Sequence, residues 1–132
     1  ALETLARHHK IKNFYGVSDY YKRWRDEDGK PWDGGASVAD ASEQLTLLKI
    51  KYTVHNPASF DTLKDACKRD RGCVIGVKDW SKKPKGYHAI VLTEFTDAGR
   101  IVFVDSNHPG WKWETNLAWL TEHWMGFCIV LD

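Results

Sequence analysis

Gly86-Tyr87-His88-Ala89-Ile90-Val91-Leu92, followed by Thr96-Asp97-Ala98-Gly99 and then Ile101-Val102-Phe103-Val104-Asp105-Ser106-Asn107, is the stretch that organises this chain. Two β-branched and aromatic runs separated by an Asp-Ala-Gly turn predict an antiparallel hairpin. His88 opens one strand and Asp105 closes the other, so the hairpin makes them neighbours. A histidine held by a carboxylate through one ring nitrogen can take a proton on the other, as a nucleophile's general base does. The plainer reading is a half-buried polar residue that closes a strand.

On both sides of the hairpin the chain alternates helical and extended patterns. Leu2, Leu5, Ala6 and His9 follow helical spacing, so residues 1–11 read as an amphipathic helix broken at Asn13-Phe14-Tyr15-Gly16. Residues 18–25 form a second helix with Ser18 as its cap, and residues 37–48 a third, with cap options at Ser37 and Asp40. Between these two lies the turn-rich segment 28–36, which carries Trp32 and lacks the spacing of a phosphate loop. Lys51 to His55 alternates as an exposed strand. Ser59 caps a helix that runs to Arg69 and is stopped by Arg71-Gly72, and Cys73 to Val77 is a buried strand. Past the hairpin, the Trp-rich loop of residues 108–113 leads to a helix over 116–124 capped by Thr115, and Gly126 to Leu131 ends the chain as a strand.

The composition describes one ordinary globular domain, since 132 residues with 42% hydrophobic and 28% charged side chains supply a single core. A formal net charge of +1 gives no pull toward nucleic acid. The aromatic and basic residues of 20–25 are followed by Asp26-Glu27-Asp28, which cancels the footprint that nucleic-acid binding requires. No apolar run approaches the roughly 20 residues needed to span a bilayer. Three cysteines, Cys67, Cys73 and Cys128, are too few for a disulfide scaffold. Each falls inside an apolar strand or a helix rather than at a helix N-terminus, so each reads as a packing residue and none as a nucleophile. His8 and His9, adjacent on a helix, point about 100° apart and do not share an ion.

The hairpin, with the Trp-rich loop and the Gly-Phe-Cys-Ile-Val-Leu strand that follow it, resembles the C-terminal half of papain-like cysteine peptidases of the C39-like, bacteriocin-processing type. The resemblance spans residues 1–132 and is specific over 86–107. It implies an α+β, papain-like domain over 1–132, with N-terminal helices packed on an antiparallel sheet from the C-terminal half. It implies His88 as general base, Asp105 as the residue that orients it and Asn107 as a substitute for Asp105. A groove rimmed by Trp32, Trp80, Tyr87 and Trp111 is then expected to bind a peptide or protein. The basic segment Lys78 to Lys85 forms one side of it and suits acidic substrate residues. Trp111 or Trp113 is expected to shield the His88–Asp105 pair from water.

The family's nucleophile is a Cys at the start of the first long helix, behind a Gln or Asn that builds the oxyanion hole. This sequence opens within that helix and no Cys stands before it. The expectation is therefore a domain whose Cys segment lies upstream of Ala1, in the same precursor or a separate N-terminal fragment of a larger assembly, or else one that keeps the fold without its catalyst. Three functions follow: a peptidase acting through a Cys-His-Asp triad, an inactive binding or structural module, and a Cys-His-Asp acyl transferase. No cofactor is implied. His88, Asp105 and His108 have the ligand types of a two-His, one-carboxylate metal site but no second close-spaced ligand pair.

Overall fold

A computed structural model describes Leu5 and residues 38–69, 72–78, 87–105, 108 and 110–132. Among these residues the chain is α+β, with three helices and six strands in the order α1 (Val38–Leu47), β1 (Tyr52–His55), α2 (Phe60–Lys68), β2 (Cys73–Lys78), β3 (Tyr87–Phe95), β4 (Ile101–Val104), β5 (Trp113–Thr115), α3 (Leu117–His123) and β6 (Trp124–Leu131). The strands form one antiparallel sheet in the order β1-β6-β2-β3-β4-β5. The second helix expected from sequence, the segment around Trp32, the segment carrying Trp80, and Asn107 lie outside the described residues, as does the first helix except for Leu5, which is helical and buried.

Alternation along the central strands gives each face its own core. Cys73, Ile75, Val77, Ile90, Leu92, Phe103 and Cys128 point to one face, where they meet Leu63 and Ala66 of α2 and Leu120 of α3. Val74, Val91, Ile129 and Leu131 point to the other, where they meet Ala41 and Leu45 of α1 and the side chain of Leu5. The sheet is thus covered on both sides, and the middle of β2 and β3 reads as a continuous apolar run for that reason.

Caps and turns fix the element ends. Ser59 accepts from the Thr62 amide at 3.2 Å at the start of α2, as its sequence position predicts. At the end of that helix Gly72 adopts φ +67° and donates its amide to Ala66 O at 3.0 Å. The β3–β4 hairpin turns through Thr96–Arg100, with Gly99 at φ +88°. Three expectations need correction. The cap of α3 is Asn116 rather than Thr115, because the Asn116 Oδ1 accepts from the Trp119 amide at 2.9 Å. Trp124 leaves the helix and opens β6, with its indole donating to Phe127 O at 2.9 Å. Trp113 belongs to a strand, β5, that pairs with β4, rather than to a loop. Of the two cap options for the helix over 37–48, Asp40 falls inside α1 and Ser37 lies outside the described residues.

One irregularity bears on the site. Near the hairpin turn Phe95 pairs with Ile101 and Glu94 with Val102, but further along Leu92 pairs with Phe103 and Val91 with Val104. Thr93 is the extra residue of a β-bulge, tied to β4 through its hydroxyl and Val102 O at 3.3 Å. A straight ladder from the turn would set Asp105 opposite Val91 and on the other face from His88. The bulge sets it abreast of Ile90, whose side chain shares a face with His88. Deleting Thr93 leaves every remaining pair and both apolar faces in place. The variant is therefore expected to fold with the His88–Asp105 contact intact, whereas an extra alanine between Val91 and Leu92 forces one end of the hairpin out of register. Amide spectra and a melting curve of each variant check this, and an unfolded deletion variant would refute it.

Candidate functional site

His88 is the second residue of β3 and Asp105 follows the last residue of β4, so they sit at the same end of the sheet, diagonally across the hairpin. The His88 Nε2 lies 2.7 Å from the Asp105 Oδ1, with the Asp105 side chain fully buried and that of His88 19% exposed. A carboxylate oxygen can only accept, so Nε2 carries the proton and Nδ1 is the proton-accepting nitrogen of the neutral ring. The site thus holds an imidazole in one tautomer and one orientation, partly open to solvent.

Asp105 is tied to the turn that follows it. Its carbonyl accepts from the His108 amide at 3.1 Å, and the His108 carbonyl accepts from the Trp111 amide at 3.2 Å, which turns the chain from β4 into β5. Beside it runs a stack of rings on the same face of the sheet. Trp113 lies on Phe103 at 5.7 Å, Phe103 on Trp119 at 5.4 Å and Trp119 on His123 at 4.8 Å, with planes within 27° of parallel. His123 ends the stack by donating from Nδ1 to Lys78 O at 2.9 Å, at the end of β2 where Tyr87 pairs with Lys78. Of the two candidate shields, Trp113 is half-buried against Phe103, while Trp111 is 62% exposed. Tyr87, next to His88, is 67% exposed.

The structure brings together His88 and Asp105; Tyr87, which precedes His88 on β3, faces the other side of the sheet, and the ring of Trp111 lies against those of His108 and Trp113. Trp32, Trp80 and Asn107 lie outside the described residues. Among the described residues no three His, Cys, Asp or Glu side chains are placed to hold a metal ion, so His88, Asp105 and His108 form no ligand set there. The ring stack and the His123–Lys78 bond were missed from sequence. Trp119 and His123, four residues apart on one helix, carried the only sequence signal for them.

None of the thiols serves the pair. Cys73 pairs with Leu92, four residues along β3 from His88, on the order of 13 Å away at the rise of a strand. Cys128 lies on β6, two strands from β3. Cys73 and Cys128 are fully buried. Cys73 is held well above the ordinary thiol range by the hydrogen bond it shares with Cys128 and by burial. Cys128 is drawn down by accepting that bond, with burial working against a thiolate there. Burial, with smaller contributions from Glu94 and Cys128, pushes Cys67 up to about 12. A thiol whose folded value is raised stabilises the fold fully below its unfolded value near 9 and loses that contribution as the pH climbs from 9 toward 12. The native protein is therefore expected to leave all three thiols unalkylated by iodoacetamide at pH 8, to expose them in denaturant, and to lose stability above pH 9. Replacing Cys67 with alanine should flatten the alkaline loss, and rapid alkylation of the native protein would contradict the placement.

No protein-family model, curated protein or solved structure matches the chain. Among the described residues no helix is long and apolar enough to cross a membrane.

Proposed function

We propose that this chain is the general-base part of a papain-like cysteine peptidase domain of C39-like type, with His88 as the base, Asp105 as its positioning residue and the nucleophilic Cys supplied from outside residues 1–132. The observation that carries the reading is the 2.7 Å bond from His88 Nε2 to a fully buried Asp105. That bond commits Nε2, so the proton of an incoming thiol goes to Nδ1. The thiolate then adds to an amide carbonyl, His88 returns the proton to the departing amine, and water or another acceptor releases the acyl group. Water makes the domain a peptidase and an amine or alcohol makes it a transferase.

A second reading, an inactive domain of the same fold that binds a peptide or protein, is favoured by the place of Leu5. Its side chain packs with Val74 and Val91 on the face opposite His88. A thiol carried just before Leu5 meets the imidazole only round the end of the sheet. The test is to express the natural reading frame with its residues upstream of Ala1 and to measure alkylation of any Cys there at pH 6. The peptidase reading expects an upstream thiol whose alkylation falls by about 100-fold or more in His88→Ala, in the range of a positioned base. An upstream segment without Cys, or a thiol indifferent to His88→Ala, leaves the binding module.

A further inference from the structure

Among the described residues the sheet has two edge strands, β1 and β5. β5 is three residues long and carries exposed Glu114 beside exposed Lys112, features that discourage a further strand. β1, Tyr52-Thr53-Val54-His55, holds no lysine, carboxylate, proline or bulge, and its pairing with β6 runs without a shift. The Asp132 amide donates to Lys51 O at 3.0 Å, so the hydrogen-bonded pairs of the β1–β6 ladder are Lys51 with Asp132, Thr53 with Val130 and His55 with Cys128. The N–H and C=O of Tyr52 and Val54 therefore point away from β6, and among the described residues no strand meets them. Both side chains lie on the face covered by α1, where the Tyr52 hydroxyl is 3.1 Å from Thr46 Oγ1.

We propose that β1 pairs with β1 of a second copy of this chain, antiparallel about a twofold axis at Thr53, so that one sheet continues through both copies. Tyr52 then lies opposite the partner's Val54 and Val54 opposite the partner's Tyr52, and every outward N–H and C=O of the two strands finds a partner. An aromatic ring beside a β-branched side chain on either side of the axis, with threonine beside threonine at the axis, makes favourable cross-strand pairs. Lys51 meets the partner's His55 rather than a second lysine. The edge is complementary to itself, as an isologous contact requires. A register centred on Tyr52 would draw on the Ile50 amide, which already donates to Leu45 O at 2.9 Å. One centred on Val54 runs past His55, the end of β1, to Asn56-Pro57. β6 and β2 separate β1 from β3, so the pairing does not touch the His88–Asp105 pair and stands apart from the peptidase reading.

An edge this short makes a weak contact, with a dissociation constant on the order of 100 µM. Amide exchange of the whole chain, followed by nuclear magnetic resonance at ~20 µM and ~1 mM, reads the pairing residue by residue. The Tyr52 and Val54 amides are expected to exchange about fourfold more slowly at the higher concentration, as mass action gives for that constant. The Thr53 and His55 amides, already paired with β6, should not change. Val54→Pro removes an outward N–H and leaves the β6 ladder intact, so it should fold and sediment as a monomer at both concentrations. Thr53→Lys sets two lysines abreast on the axis and should weaken association about fivefold at low salt. That loss should recover at ~1 M salt, and the variant decides the matter if the amide spectrum shows Val54→Pro unfolded. Exchange of Tyr52 and Val54 that ignores concentration, or self-association that survives the substitutions, overturns the proposal.

Discussion

Replacing Gly72 with alanine is expected to remove about 3 kcal/mol of stability, a large effect for one methyl group. Gly72 closes α2 at φ +67° and opens onto β2. An L-residue pays about 1–2 kcal/mol for that backbone region wherever it occurs. Here a second cost is added, because a Cβ at Gly72 would stand 2.7 Å from the backbone oxygen of Leu92. That oxygen belongs to the residue paired with Cys73, so it cannot retreat without loosening the first rungs between β2 and β3. Gly99 provides the control. Its φ is +88°, yet nothing lies within 4 Å of a Cβ built there, so Gly99→Ala carries the conformational cost alone. Urea unfolding of both variants should show a shift for Gly72→Ala at least twice that for Gly99→Ala, with unchanged slope. Equal shifts would mean that β3 yields easily and that the junction is not tightly held.

The part of the structure that was legible in sequence is the part where local signals agree. The hairpin has alternation, β-branched residues and a glycine turn all pointing one way, and these bring His88 and Asp105 to one end of the sheet, while the bulge puts them on one face. Ser59 and Gly72 were readable as caps for the same reason. The bulge was not legible: Thr93 sits inside an unbroken run from Ala89 to Phe95, and only pairing with β4 shows that it is extra. β5 is three residues long, too short for a periodic pattern, and acquires its structure from the edge of β4. At the start of α3, Thr115 and Asn116 are both good caps, and β5 claims Thr115 as its last strand residue, which leaves the capping to Asn116. Helical spacing around Leu5 marks an apolar side but does not say which face of the sheet that residue covers.

His88→Ala is the second large effect, and it separates a positioning carboxylate from a merely structural one. Asp105 is fully buried, so deleting the imidazole removes a short, charge-assisted hydrogen bond from a group that water cannot re-solvate. The expected loss is about 2 kcal/mol, with the further consequence that Asp105 becomes the more harmful member of the damaged pair. Asp105→Ala should cost a similar amount, since it leaves the half-buried Nε2 without that acceptor. The double replacement should cost less than the sum of the singles by about 1–2 kcal/mol, because no group is then left behind by a lost partner. Additive singles would show that the 2.7 Å contact contributes little and that each residue is held by its other neighbours. A nitrogen-detected spectrum of His88 adds the readout that stability cannot supply. In the native chain the neutral ring should carry its proton on Nε2, and in Asp105→Ala the two tautomers should mix. If the Nε2–H tautomer persists without Asp105, then Asp105 does not orient the base, and the buried carboxyl is there to hold the end of β4.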